Sequence, residues 1–159
     1  MESSQRDTLI NRALLYPYLA PEHSFVYSNG VNTPLQRWLS ENNLPSWQDA
    51  IATLQQNNGV YTPVIAYGSN RSPEQLVRKY GEHTTDGILS IAATLHHHDI
   101  VRSAHFTSYS TLAATFTPSQ GTSVSVFVQF LSSSNLQILH RTEALGRNYR
   151  FVSFPAHCI

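Results

Sequence analysis

The spacing of apolar residues changes character near residue 60 of the 159-residue chain. Before that point it is helical, as in Leu35 and Leu39 at positions i and i+4. After it, apolar and β-branched residues gather in short runs, of which 122–131 is the strongest strand signal. We therefore predict a helical N-terminal extension over residues 1–60 and a β-rich domain over residues 61–159.

Local signals place the ends of the elements in the extension. A helix over 8–15 is ended by Pro17, and residues 25–27 form a short strand before a Ser-Asn-Gly turn. The Thr-Pro pair at 33–34 predicts a helix with proline at its first position. Ser46 predicts the N-cap of a further helix. Helices thus dominate this part of the prediction.

The rest of the chain is predicted to hold several strands and two helices. The predicted strands are 60–67, 88–95, 98–101, 111–117, 122–131 and 149–154. Pro73 marks the first position of one helix, which ends at Gly81. The serines at 132–134 cap the other helix, which Gly146 ends. Residues 118–121 are predicted to form a turn between two strands.

Composition excludes several classes of protein. An apolar fraction of 41% suits one globular domain and not a disordered chain. The formal net charge is zero, and no basic stripe is present, which argues against nucleic-acid binding. One cysteine cannot form an intrachain disulfide, and no apolar run reaches the roughly 20 residues of a membrane span. We expect a cytoplasmic protein without nucleic-acid or membrane partners, with a charge compatible with self-association as a homodimer.

The most informative segment is a strand that runs through Tyr67-Gly68-Ser69-Asn70 into a helix. Small residues at such a helix start expose backbone N–H groups that lack intrahelical partners and can hold a carboxylate or an oxyanion. Ser69 and Asn70 add side-chain donors and acceptors, and Gly68 permits close approach to the backbone. The same segment also fits an ordinary strand-to-helix turn with a standard cap.

Three charged side chains near these elements are candidates for chemistry. Glu143 is in line with the leucines four and seven residues before it, on the apolar stripe of the last predicted helix. A carboxylate on a buried stripe is costly unless it is paired or used, for example as a general base. The alternative places Glu143 at the edge of the stripe, paired with Arg147 at i+4. Arg71 and Arg78 follow the loop and are candidate partners for an anionic substrate group.

The three histidines at 96–98 raise the question of a metal site, with Asp99 and His105 nearby. Successive side chains of a strand alternate faces, so only the first and third histidine share one, and another ligand must come from elsewhere. A solvated strand end is the alternative, and no metal is predicted. Cys158 and His157 would point apart on a strand, so this pair is treated as incidental.

Two segments in order carry a resemblance to a known family. The first is Tyr67-Gly68-Ser69-Asn70 between a strand and a helix; the second joins Glu143, Gly146 and Tyr149 after a helix with leucines at 136 and 139. Between them, residues 111–116 resemble the Ala-Thr strand of the same family. Over residues 62–154 the chain resembles the gamma-glutamylcyclotransferase-like, or AIG2-like, family.

The resemblance implies an α+β fold, a small mixed β-barrel with flanking helices, preceded here by the helical N-terminal segment. It implies an enzyme that converts a small-molecule gamma-glutamyl amine or peptide to 5-oxoproline and free amine, with no cofactor. Carried over by position, the general base is Glu143, and the substrate-binding residues are Tyr67, Gly68, Ser69, Asn70 and Tyr149. The alternative is a non-catalytic module on the same fold that binds a small molecule or a protein.

Overall fold

The structure of the protein, a computed structural model, describes residues 2–81, 84–106, 111–143, 146, 149–150 and 152–155. Its helices are α1 (Glu2–Leu15), α2 (Leu35–Glu41), α3 (Trp47–Asn58), α4 (Pro73–Tyr80) and α5 (Ser133–Thr142). Its strands are β1 (Phe25–Ser28), β2 (Val31–Pro34), β3 (Tyr61–Ala66), β4 (Ile88–Phe106) and β5 (Leu112–Ser132). A 3-10 turn spans Ser69–Arg71, between β3 and α4. No helix in these ranges is long and apolar enough to cross a bilayer.

The strands form one sheet in the order β2-β1-β4-β5-β3, and every neighbouring pair is antiparallel. The predicted α+β class with flanking helices is confirmed. The sheet is antiparallel throughout instead of mixed, because two of its four pairings are hairpins and the other two also run in opposite directions. Across the described ranges β2 and β3 remain edges, and no pairing closes the sheet into a barrel.

Helices cover both faces of the sheet. Phe25 and Tyr27 pack on one face with residues of α4 and α5, whereas Val26 between them packs on the other face with α3. Ile88 and Leu89 divide in the same way on β4, as the alternation of side chains along a strand requires. Each of these five side chains is at most 2% exposed, which stabilises the fold by about 1.5–3 kcal/mol per fully buried residue.

The N-terminal 60 residues contain the predicted strand at 25–27 and a second strand, β2, that was not predicted, so the predicted extension is not helical throughout. The two strands form the hairpin β1–β2, whose turn residues Asn29 and Gly30 have φ of 50° and 76°. Strand β1 pairs with β4, so the sheet crosses the predicted boundary at residue 60. The N-cap of α2 is Pro34, one residue later than predicted. Thr33 lies in strand β2, since a residue before proline is held in an extended conformation.

Strands β4 and β5 form a long hairpin, and each joins two strands that were predicted separately. The predicted turn at 118–121 coincides with a register shift, where His96 pairs with Ser123 but His98 pairs with Pro118. The turn residues therefore produce a bulge inside the ladder instead of a chain reversal. We call the part of the hairpin formed by 88–96 and 123–130 the proximal half, and the part formed by 98–106 and 112–118 the distal half.

The elements around the predicted loop are confirmed, with one exception at the C-terminal end. Strand β3 and the start of α4 at Pro73 lie where the sequence predicts them, and Ser132 is the N-cap of α5. The described residues of the predicted strand at 149–154 are not in a strand: Tyr149 makes an isolated bridge, and 150 and 152–154 have no regular structure. The run is short and ends at a proline, which offers no ladder donor.

Candidate functional site

A cavity of about 1010 Å³ lies between the loop after β3, the distal half of the hairpin and α5. The six residues predicted for the site all line it: Tyr67, Gly68, Ser69, Asn70, Glu143 and Tyr149. They meet because β3, which leads into the loop, pairs with the end of β5 that continues into α5. The structure thus brings together both segments that carry the family resemblance.

A buried amide from the sheet holds the loop in place. Gln129 Nε2 on β5 donates to the Asn70 carbonyl oxygen at 2.9 Å and to Ser90 Oγ at 3.3 Å. Gln129 is fully enclosed, so these partners compensate for its lost hydration. Sequence reasoning missed this residue, although a glutamine inside the apolar run of β5 is the signal that could have identified it.

Gly68 lies against the distal half of the hairpin and the N-terminal segment. Its φ of −107° is outside the left-handed region that favours glycine. A side chain there would meet Ala114 Cβ at 3.4 Å and the Tyr16 hydroxyl at 3.5 Å. The 3-10 turn also uses the N–H groups of Arg71 and Ser72, which donate to carbonyls of the turn. The loop therefore offers fewer free backbone donors than a simple helix start.

Glu143 is the C-cap of α5, and its carboxylate faces the loop. Its Oε1 accepts from Asn70 Nδ2 at 3.1 Å and forms an ion pair with Lys79 Nζ. A carboxylate at a helix C-terminus meets the negative end of the helix dipole, and the lysine offsets that repulsion. Arg147, the partner in the alternative hypothesis, lies outside the described residues.

Asn70 is oriented by this contact. A carboxylate only accepts hydrogen bonds, so the amide nitrogen of Asn70 faces Glu143 and Oδ1 faces away. Oδ1 is buried and has no hydrogen-bond partner among the described residues. A buried acceptor without a donor is costly, and an N–H group of a bound ligand would satisfy it.

Lys79, the only lysine of the chain, was not predicted as a site residue. Its side chain is 6% exposed, against 29% for Glu143, so the lysine is the more deeply buried member of the pair. Burial lowers the pKa of Lys79, and the negative charge of Glu143 opposes that shift. The sequence signal that could have identified Lys79 is its position on α4 beside buried Leu76 and Tyr80, which places the lysine on the inner face of the helix.

Tyrosine hydroxyls surround the carboxylate. Burial, and then the charge of Glu143, raise the pKa of Tyr67 to about 12 and raise the pKa of Tyr149 above its ordinary value. Burial also raises the pKa of Tyr16, whose oxygen accepts the Ala114 N–H at 3.1 Å. All three phenols remain protonated at neutral pH and can donate. Tyr16 belongs to the N-terminal segment, for which no site role was predicted.

The two arginines predicted to bind an anion do not line the cavity. Arg71 donates to the Ser125 carbonyl at 3.1 Å, and Arg78 is paired with Glu74 at the surface of α4. Both follow the loop in sequence, but the turn and the helix direct them away from this cavity. Arg150, next to Tyr149, is exposed and does line the cavity.

The histidine run forms no metal site in the described part of the chain. No group of three or more His, Cys, Asp or Glu residues there could hold a metal ion. His96 bonds Ser123 Oγ at 2.9 Å, and His98 Nδ1 donates to the His96 carbonyl at 2.8 Å. The His105 side chain, His157 and Cys158 lie outside what is described.

A cluster of aromatic rings lines the cavity where it meets the distal half of the hairpin, and we call this part the aromatic end of the cavity. Phe116 on β5 lies 3.8 Å from the Tyr67 ring, and Phe154 lies 5.3 Å from both Phe116 and His98, measured between centroids. Sequence reasoning did not predict this cluster, because its members come from four separate parts of the chain.

Comparison of the chain with protein-family models, with curated proteins and with solved structures finds no match. The chemistry of the cavity is therefore the basis on which a function is assigned.

Proposed function

We propose that the protein is a cyclotransferase that converts a gamma-glutamyl amine or peptide to 5-oxoproline and a free amine, on a β-barrel fold of the gamma-glutamylcyclotransferase-like type. The observation that carries the proposal is the contact between Glu143 and Asn70, at 3.1 Å, in the wall of the cavity. A candidate base and the candidate substrate loop thus share one site, as this reaction requires.

The reaction needs a base more than it needs a second reactant. The α-amine of the substrate is largely protonated at neutral pH, and Glu143 takes a proton from it. The amine nitrogen then attacks the γ-carbonyl carbon of the same molecule, which forms the ring C–N bond and an oxyanion. After the attack the ring nitrogen still carries one proton more than the lactam will have. When the oxyanion collapses, the bond to the leaving nitrogen breaks, and Glu143 returns the first proton to that nitrogen. The carboxylate of Glu143 then takes the second proton from the ring nitrogen and passes it to the freed amine, which leaves protonated. The products are 5-oxoproline and the free amine.

The donors around Glu143 suit the oxyanion. Tyr67 and Tyr149 remain protonated because burial and the carboxylate raise the pKa of each phenol. Donors that are fixed before the reaction stabilise a developing negative charge without reorganisation, and one such donor contributes about 2.7–4 kcal/mol in a well-studied protease. Lys79 does not line the cavity, so we assign it a positioning role toward Glu143.

The test is mass-spectrometric detection of 5-oxoproline after incubation with a panel of gamma-glutamyl peptides and amines. We expect product from the wild type and about 10²–10⁴-fold less from Glu143→Gln, since that is the usual contribution of general acid–base catalysis. The substitution also leaves Lys79 buried without its partner, so the double variant Lys79→Met, Glu143→Gln is needed to separate loss of the base from loss of the fold.

The matched control is Glu74→Gln. It removes the carboxylate of the exposed Arg78–Glu74 pair on α4, outside the cavity, and should retain wild-type activity. A folded double variant that forms 5-oxoproline at the wild-type rate would exclude Glu143 as the base.

A second candidate function, a non-catalytic binding module, is favoured by one observation. The Glu143 carboxylate is already engaged by an ion pair with Lys79 and a hydrogen bond from Asn70, contacts that serve the fold without any reaction. On this hypothesis the folded wild type yields no 5-oxoproline from any compound of the panel.

A further inference from the structure

We infer that the aromatic end of the cavity is the subsite for the leaving amine and that this amine carries an aromatic ring. The inference rests on the proposed cyclotransferase function and names its substrate class.

Three rings form the wall of this subsite. Phe116 on β5, Phe154 in the C-terminal segment and His98 on β4 lie with centroids 5.3, 5.3 and 6.4 Å apart. Each pair meets edge to face, with interplanar angles between 69° and 74°. All three line the cavity and are half-buried, so part of each ring surface faces the space that a ligand would occupy. Edge-to-face contact is the arrangement in which aromatic rings attract one another, and an additional ring can join it.

Tyr67 connects this wall to the reacting groups. It belongs to the loop that faces Glu143, whose charge raises the pKa of the phenol, and its ring lies 3.8 Å from that of Phe116. A gamma-glutamyl group held between the loop and Glu143 would therefore extend its amide along Tyr67 toward Phe116 and Phe154. The part of the substrate that reaches these rings is the amine that leaves.

The charges of the cavity argue against a cationic leaving group. In the described lining, Glu143 is the only carboxylate, and it is already paired with Lys79. The aromatic end has no acidic side chain among those residues to hold a second ammonium, such as that of a lysine or a polyamine. An uncharged aromatic ring is the ligand that this wall fits best.

The experiment compares two amides that differ only in the aromaticity of one ring. Gamma-glutamyl phenethylamide and gamma-glutamyl cyclohexylethylamide are assayed for 5-oxoproline with the wild type, Phe116→Leu and Phe154→Leu. We expect kcat/KM for the aromatic amide to exceed that for the saturated one by about tenfold, since ring pairs add up to about that factor beyond area burial. Each variant should cancel this preference.

Phe106→Leu is the control for these variants. It makes the same substitution on β4, at a side chain that is 70% exposed and does not line the cavity, and it should keep the preference. Phe154→Leu is included because Phe116 also packs on Tyr67, and its replacement could disturb the fold. If Phe116→Leu does not fold, the preference can still be measured in Phe154→Leu.

Binding of the uncharged amide N-phenethylacetamide, followed by ligand-observed NMR, separates failure of the subsite from failure of the reaction. Equal kcat/KM for both gamma-glutamyl amides overturns the subsite and leaves the cyclotransferase in place. N-phenethylacetamide binding that weakens about tenfold in Phe116→Leu, with no turnover of any gamma-glutamyl amide, supports the subsite and contradicts the reaction. Absence of both turnover and binding overturns both.

Discussion

In the proximal half of the β4–β5 hairpin, Leu89 and Leu95 are completely buried, whereas Val101 and Phe106 in the distal half keep 37% and 70% of their surface exposed. The proximal half has β1 or β3 beside it and helices on both faces. Packing against these neighbours therefore stabilises the proximal half, whereas the distal half buries fewer apolar side chains. Hydrophobic burial thus decreases from the proximal to the distal half along β4 and β5, although the backbone of each strand is continuous.

The cavity spans this difference. The end that contains Glu143 is held by Gln129 of the proximal half, which lies under the loop, and by Lys79 of α4, which pairs with Glu143. Its aromatic end uses Phe116 and His98 of the distal half. Catalytic groups must be held to a fraction of an ångström, whereas a ring subsite tolerates adjustment. The proposed function thus places the reacting groups beside the well-buried half of one hairpin and the amine subsite on its less buried half.

The largest expected effect is on core packing. Leu131→Ala, at a completely buried position on β5 next to the proximal half, should lower the free energy of unfolding by about 2–5 kcal/mol. Leu112→Ala, at a partly exposed position of the distal half, should cost less than about 1 kcal/mol. Urea denaturation measures both. Equal losses would show that the two halves are packed alike, contrary to the comparison.

The ion pair behind the reacting end should respond asymmetrically. Glu143→Gln leaves the deeply buried Lys79 alone and should cost about 3 kcal/mol, whereas Lys79→Met leaves a carboxylate that still reaches solvent and Asn70 and should cost less. Thermal and urea unfolding give the two values, with Glu74→Gln as the neutral control.

The pH dependence of the stability of the Glu143→Gln variant also tests whether Lys79 is left buried without a partner. Burial lowers the pKa of Lys79 in the folded state, so the unfolded chain binds more protons and stability rises with pH. The loss caused by Glu143→Gln should therefore shrink as the pH approaches the ordinary lysine pKa of about 10.4. A loss that is constant with pH would mean that Lys79 is not buried as a charged group.

A smaller effect is expected where the N-terminal segment contacts the distal half. Tyr16→Phe removes the acceptor of the Ala114 N–H and should lower the free energy of unfolding by about 1–3 kcal/mol. Hydrogen exchange at Ala114 should accelerate more than exchange at Leu89 in the proximal half. Uniform acceleration at both sites would show that the two halves unfold as one unit.

The smallest expected effect is an alkaline one at Tyr67. Its pKa is raised from about 10 when unfolded to about 12 when folded, so its contribution to stability is complete below pH 10 and is lost as the pH rises toward 12. Tyr67→Phe does not titrate, so its melting temperature should fall less steeply over that interval. Parallel curves for the variant and the wild type would mean that the Tyr67 side of the cavity admits water freely.

Short-range signals explain which elements around the candidate site were predicted correctly. The loop at Tyr67–Asn70 lies between the predicted strand and the predicted proline-started helix, and Glu143 lies at the end of the predicted serine-capped helix. Both depend on neighbours within a few residues. Of the hairpin β1–β2, only the first strand was predicted. The second, Val31–Pro34, is too short to show an alternation of apolar and polar residues.

Contacts between distant segments explain what was not predicted. Lys79 meets Glu143, and Tyr16 meets Ala114, only because the sheet brings these elements together. The residues at 118–121 have the composition of a turn, yet strand β4 continues to pair on both sides of them, so they form a bulge in the ladder. Local sequence does not distinguish a chain reversal from a bulge, since the difference depends on whether the partner strand continues.

The strand order also has a consequence for the speed of folding. Tyr27 pairs with Ile88 and Ala66 pairs with Phe127, so β1 and β3 join the sheet through contacts between residues about sixty positions apart in the sequence. Strands β4 and β5 are joined by a short connection and can pair without the entropic cost of closing a long loop. We expect this hairpin to nucleate the sheet and the two outer additions to limit the folding rate, in the slow range typical of chains dominated by non-local contacts.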